Sequence, residues 1–300
     1  MSGGAGTAGN RSFPGLLPWS LLFAVFGLVP LLAALVLSFF DMNPLRPDLT
    51  HWIGLSNYGR ALTSPAFWHA LRTTTLFVVG TLPITLTLAY VVAALLSRIR
   101  RGEVFFRAAI FFPATLSMVV ISLVFKSLYA EQGLLNGWLT ALGIPAVHWL
   151  QDPRWALPSI MAMDVWSSVG YYAILILAGR KTLPPEQLEA ARLEGMRAIE
   201  IERRIVLPHV RPVILFVVLL NTIRSFQIFI EVFVLTRGGP LDSTLTLVYH
   251  LYERAFYHFE MGYACAIAYI LLFLVGLLLL AQRRFIGRAP VEPRAQAPAS

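Results

Sequence analysis

The sequence predicts an all-α membrane protein of six spans, and three features carry that prediction. Of its 300 residues, 57% are hydrophobic and 13% charged, whereas a soluble domain carries about 25% charged residues. Six stretches are long and apolar enough to cross a hydrocarbon core of roughly 30 Å, which takes about 20 helical residues. The loops between them alternate in Lys and Arg content, as the loops of membrane proteins do. The net charge of +8 is therefore topological. Membrane lipid is an expected partner and nucleic acid is not.

The first apolar stretch, near 16–40, is longer than the roughly 7–15 residues of a signal-peptide core and lacks a small-x-small cleavage site, so it reads as an uncleaved span. The second and third lie near 73–97 and 108–129, with Pro83 and Pro113 read as kinks. Lys126 is expected to snorkel outward beside Glu131, and Leu134, Leu135, Trp138, Leu139 and Leu142 have the spacing of a helix lying on the membrane surface. The remaining spans fall near 157–178, 212–235 and 262–282. Together they define a membrane domain over 16–286, with disordered cytoplasmic tails at 1–15 and 287–300.

Sixteen of the 24 Lys and Arg residues lie before span 1 or after spans 2, 4 and 6. The positive-inside rule then puts both termini, and the long loop after span 4, in the cytoplasm. The chemistry of an enzyme is missing from the sequence. Neither Lys126 nor Lys181 follows a glycine, as a P-loop lysine must. The six histidines are scattered and Cys265 is the single cysteine, so no metal site and no internal disulfide is expected. No catalytic residue and no cofactor is assigned to this chain.

The long loop, 184–208, has a definite architecture. Pro184 and Pro185 suit a helix start, the segment Glu186 to Glu194 is rich in helix formers, and Gly195 allows a left-handed turn. A second short helix is expected across Ile199 to Ile205, broken by Pro208 and Pro212 before span 5. Ala190, Ala191 and Gly195 carry almost no side chain, so a partner can approach closely, and Glu189 offers a carboxylate for a charge-assisted contact.

Glu189-Ala190-Ala191, then Gly195, then Ile205, Leu207 and Pro208 resembles the EAA loop of permease subunits of binding-protein-dependent ABC importers. Glu194 stands where relatives usually have Asp. Two further segments resemble the sugar-permease branch, the relatives of the larger maltose permease subunit. They are Ile53-Gly54-Leu55-Ser56-Asn57-Tyr58 with Phe67-Trp68-His69-Ala70-Leu71, and Leu235-Thr236-Arg237-Gly238-Gly239-Pro240 with Ser243 to Leu247 and Gly262-Tyr263-Ala264. The resemblance implies a type I importer fold in a bacterial or archaeal cell membrane. It also implies a second permease subunit in a heterodimer, an ATPase dimer that holds ATP and Mg, and an extracytoplasmic solute-binding protein. The EAA residues would form the surface that docks on the ATPase.

Polar residues inside spans mark a candidate solute route. Asn221, Arg224, Ser225, Gln227 and Glu231 fall on one side of a span 5 helix, with Arg224 and Glu231 placed to pair. In span 4, Asp164, Ser167, Ser168 and Tyr171 share a face, with Trp166 and Tyr172 nearby. Hydroxyls and aromatic faces suit a sugar. By motif register, Ser168, Tyr171, Arg224 and Ser225 match sugar-contacting positions of the maltose permease, although the side chains there differ. The expected function is ATP-driven import of a sugar or oligosaccharide by alternating access. The alternatives are a glycerophosphodiester or other polar cargo, with Arg224 as anion contact, a membrane anchor or sensor that moves nothing, and a proton-coupled secondary transporter.

Overall fold

A computed structural model describes residues 13–99 and 101–286. The tail residues 1–12 and 287–300 lie outside the described residues. Helix α1 (Phe13–Phe23) starts inside the tail expected over 1–15 and passes through π-turns at Ala24–Leu28 into α2 (Val29–Leu37). The two-residue strands β1 (Phe40–Asp41) and β2 (His51–Trp52) pair antiparallel, Phe40 opposite Trp52, and α3 (Ser56–Thr63) follows.

Helix α4 (Pro65–Leu96) begins eight residues before the expected span 2, and Pro83 lies within it. Span 3 is not one helix. It consists of α5 (Glu103–Thr115) and α6 (Met118–Leu128), bent by 92°. Leu116 and Ser117 are both extended, with ψ of 149° and 136°. A proline kink was expected, but the chain leaves the helix altogether just after Pro113. The surface helix appears as α7 (Leu134–Ala141), with Leu134 and Trp138 exposed.

Helix α8 (Pro153–Lys181) is capped by Asp152, whose carboxylate accepts the Arg154 N–H at 2.8 Å. The loop that follows holds α9 (Pro185–Leu193) and α10 (Ala198–Ile201). A π-turn over Glu202–Val206 then leads into α11 (Leu207–Phe226). Pro208 and Pro212 do not break this helix. The Leu207 N–H already bonds the Glu202 carbonyl five residues back, so the register has shifted where Pro208, lacking an N–H, enters.

Span 5 ends early instead. Gln227 caps α11, Phe229 sits at φ −144° and ψ −57°, and α12 (Ile230–Leu235) starts afresh. Helix α13 (Leu247–Phe256), absent from the sequence reading, precedes α14 (Met261–Ile286). Among the described residues, five helices are long and apolar enough to span a membrane, six if α5 and α6 count as one.

The chain forms two compact units. The first comprises the described residues up to Ser64 with Leu251–Ile270. There Asn57 donates to the carbonyls of Ser38 and Phe40 at 2.9 and 3.0 Å, and Arg60 pairs with Glu260 at 2.7 Å while lying over the Tyr263 ring. The motif residues around Asn57 and Tyr263 thus build one scaffold.

The second unit comprises Pro65–His250 and the described residues from Leu271 onward, with α4, α8 and α11 at its centre. Ala89, Ala93, Tyr172, Ala173, Ile176 and Val217 form its core. Small residues allow such close helix packing in membranes. In this unit Thr236 and Thr244 share a hydroxyl hydrogen bond of 2.7 Å, and the Leu247 N–H donates to Thr74 at 2.8 Å. Lys126 donates to the Val234 carbonyl at 3.2 Å, while Glu131 pairs with His148 at 3.1 Å. The expected Lys126 and Glu131 neighbourhood is therefore replaced by separate partners.

Candidate functional site

Two regions of the second unit hold the residues singled out by sequence. The first is the loop between α8 and α11. Helix α9 closes with the Met196 N–H bonded to the Ala191 carbonyl and the Gly195 N–H to the Arg192 carbonyl, both at 3.1 Å. That is a Schellman motif, and Gly195 takes the left-handed position at φ +77° that favours glycine. The Arg197 N–H is met by the Glu200 carboxylate at 2.8 Å, which starts α10. Leu183, Ala191, Ile201, Val206 and Val210 form a small core, with Leu188, Met196 and Ile205 against it.

The result is a rigid elbow whose motif residues divide by face. Glu189, Ala190, Gly195, Leu207 and Pro208 are exposed. Ala191 is 4% exposed and is not open to a partner, while Ile205 is partly buried against the small core, so these two help to hold the elbow together. Sequence reasoning missed Leu193, 90% exposed, and Ile199, 57% exposed. Their signal was present, since both are large apolar residues in an otherwise charged loop.

Beneath the elbow, Arg180 at the end of α8 holds Glu202 through both carboxylate oxygens, one contact at 3.1 Å. The Tyr90 hydroxyl of α4 donates to Glu202 at 2.6 Å, and the Arg180 guanidinium lies 5.7 Å from the Tyr90 ring centre. Burial opposes ionisation of Glu202, but the hydrogen bonds from Arg180 and Tyr90 prevail and hold its carboxyl below the usual range. Glu202 thereby ties the elbow to α4 and α8.

The second region lies within the spans. Asp164 of α8 pairs with Arg224 of α11 at 3.0 Å. Arg224 therefore pairs with Asp164 and not with Glu231, which is one of the alternatives the sequence leaves open beside a partner on a second permease subunit. Ser167 and Ser168 donate to the Asp164 carbonyl at 2.9 and 2.8 Å, and Ser225 donates to Asn221 at 3.0 Å. Asn221 and Ser225 are 2% and 3% exposed and face helix packing.

A cavity of about 240 Å³ is lined by Leu116, Ser167, Ser168, Tyr171, Tyr172 and Arg224. A second, of about 460 Å³, is lined by Arg224, Gln227 and Glu231 together with apolar residues of α6, α11 and α12. Arg224 borders both. Gln227 and Glu231 reach the second cavity because the helix breaks at 227–229, not through the continuous helical face inferred from sequence. Leu116 and Met118 were not singled out by sequence and enter through the bend of span 3. Gly170 lets α8 approach α5 here, for an added Cβ would overlap the Ile110 carbonyl.

Residues 86–283 match the family described as binding-protein-dependent transport system inner membrane components. The chain belongs to that family. As such a permease it is a multi-pass protein of the cell membrane, related to sugar ABC transporter permeases. The lactose transport system permease protein LacF of Rhizobium radiobacter is 35% identical over 87% of this chain and 89% of its own length. The diacetylchitobiose uptake system permease protein NgcF of Streptomyces coelicolor is 30% identical over 93% and 84%. A bacterial ABC transporter involved in import of the acidic polysaccharide alginate has a chain of the same fold, with TM-score 0.82, 18% identity, and 94% and 96% coverage. The permease is thus mostly helical and of the type I importer fold.

Proposed function

We propose that this permease moves a sugar or oligosaccharide into the cytoplasm by alternating access, driven by ATP hydrolysis on separate subunits. The carrying observation is the smaller cavity, where Tyr171 and Tyr172, two serines and Arg224 converge. Aromatic faces and hydrogen-bonding groups recognise a polyol, and relatives named for lactose and diacetylchitobiose transport favour that cargo. Asp164 already neutralises Arg224, which favours a neutral cargo over a phosphodiester.

In this reading a second permease subunit completes the route, and an extracytoplasmic solute-binding protein delivers the sugar. Both termini and the elbow lie in the cytoplasm, where the exposed face of Glu189, Ala190, Gly195, Leu207 and Pro208 docks on an ATPase dimer holding ATP and Mg. A rigid elbow tied to α4 and α8 through Glu202 can transmit closure of that dimer to the spans.

The test is uptake of labelled sugars by cells carrying the complete transporter, with lactose, a chitobiose and a glycerophosphodiester as competitors. Tyr171→Ala and Arg224→Ala should each lower uptake or change which sugar competes, with the ATPase still bound. Normal uptake by both variants at normal protein level would remove these residues from the route.

A further inference from the structure

The elbow has an inner side as well as a docking face, and that inner side is hollow. A cavity of about 470 Å³ lies between the ends of α4 and α8 and the elbow, and Arg98, Arg180, Lys181 and Arg192 line it with Glu202 as the sole acid. Arg180 is spent on Glu202, and Lys181 pairs with Glu103 at 2.7 Å. Arg98 and Arg192 form no ion pair among the described residues. The Nε of Arg180, whose side chain is 9% exposed, is buried without a hydrogen-bond partner. With Arg180 and Lys181 each paired to a carboxylate, Arg98 and Arg192 remain as two cations without an ion pair among the described residues, and with the unsatisfied Arg180 Nε they call for an anion.

A second cavity, of about 360 Å³, shares Arg98, Ala198 and Glu202 with the first and is otherwise apolar, lined by Tyr90, Val91, Ala94, Leu95 and Ile199. Residues 90, 91, 94 and 95 follow helical spacing along one face of α4, which at 1.5 Å per residue makes a strip of roughly 8 Å, and Arg98 lies in the turn just past the end of the helix. Val91 and Leu95 are 46% and 58% exposed on a helix apolar enough to cross a membrane. Cationic hollow and apolar strip meet at Arg98, the level where the helix leaves its apolar run.

We propose that the two cavities form one site for an anionic phospholipid. The headgroup phosphate occupies the hollow beside Arg98, Arg180 and Arg192, and an acyl chain lies along Val91, Ala94 and Leu95. A free phosphate would use the hollow alone and has no need of the strip. Basic pockets between spans at a membrane surface suit such headgroups. The lipid then wedges between α4 and the elbow and makes the position of the elbow depend on the surrounding bilayer. This site is independent of the identity of the transported solute.

Native mass spectrometry of the full-length permease, purified in the presence of equal phosphatidylglycerol and phosphatidylcholine, reads the site directly. Phosphatidylglycerol should be retained selectively. The double variant Arg98→Gln/Arg192→Gln should weaken its retention by roughly tenfold or more, each surface cation being worth about fivefold. Ala94→Phe, which fills the strip, should weaken it as well. Arg203→Gln/Arg204→Gln, which removes two exposed cations elsewhere on the elbow, should leave it unchanged. Equal retention of the two lipids, or selective retention that survives Arg98→Gln/Arg192→Gln, would overturn the proposal. Displacement of the bound lipid by glycerophosphate with no effect of Ala94→Phe would identify the hollow as a soluble-anion site and overturn the assignment to lipid.

Discussion

The permease contains two Arg–carboxylate pairs that tie α8 to the segment around α11, and they differ in how completely they are closed. In the elbow, Glu202 receives Arg180 through both oxygens and Tyr90 besides, with side-chain exposures of 9% for Arg180 and 18% for Glu202. Within the spans, Asp164 receives a single guanidinium contact at 3.0 Å, and Arg224 remains 38% exposed on two cavities. The same chemistry therefore makes a strut in one place and an open polar surface in the other. The strut suits transmission of force and the open pair suits contact with something that comes and goes.

The largest expected effect is on the strut. Glu202→Gln leaves Arg180 buried without its charge partner, and breaking such a pair costs about 3–5 kcal/mol when fully buried. Here it should loosen the elbow strongly, read as faster hydrogen exchange in residues 185–206 and as ATP hydrolysis detached from transport. Because the folded carboxyl of Glu202 is held below its ordinary value, its contribution is complete above the unfolded pKa of about 4.3 and fades as pH falls through the lower folded value. Wild-type elbow protection factors, with the intrinsic pH dependence of amide exchange divided out, should therefore fall at acid pH, and Glu202→Gln should remove this dependence. An elbow equally protected in the variant would show that Glu202 is no strut.

Next comes the docking face, where strain and partner contact can be separated. An added Cβ at Gly195 meets nothing within 4 Å in this chain, yet its φ of +77° disfavours any L side chain. Gly195→Ala and Gly195→Val should then share a backbone cost of roughly 1–3 kcal/mol. Any additional loss of co-purifying ATPase in Gly195→Val measures a clash with the partner. On the proposed docking, Glu189→Ala should remove a charge-assisted contact worth about 1.5–3 kcal/mol, a loss of roughly tenfold or more. If both variants keep the ATPase and full solute-stimulated hydrolysis, the exposed face of the elbow does not couple.

The contrast between strut and open pair was only partly legible in the sequence. Hydropathy located the apolar runs, because a hydrocarbon core demands them, but not the helix ends: α4 begins eight residues before the expected span 2 and α11 stops at Phe226. The Schellman turn at Gly195 was legible because its chemistry is local. Glu202, by contrast, looked like one more charge in a charged loop, since its partners Tyr90 and Arg180 come from two other helices. The breaks in spans 3 and 5 were hidden for a related reason. A periodicity argument assumes an unbroken helix, and at Ser117 and Phe229 the backbone leaves the helical region. That assumption aligned Glu231 with Asn221 and paired it with Arg224, whose partner is Asp164 on another span.

The smallest effect is expected at the open pair, and there the two halves should be unequal. Asp164 is the enclosed partner, with a side chain 5% exposed, whereas Arg224 faces space on two sides. Removing the arginine strands a buried carboxylate, while removing the carboxylate leaves a guanidinium that is itself 38% exposed. Asp164→Asn should therefore lower the thermal stability of the purified permease by clearly less than Arg224→Ala does. Asp164→Asn also leaves Arg224 without its ion-pair partner and makes the smaller cavity more positive, so a glycerophosphodiester should compete with sugar uptake better than in the wild type. Equal destabilisation by the two variants would mean that the pair is closed like the strut, and an unchanged competitor profile would mean that cargo does not meet Arg224.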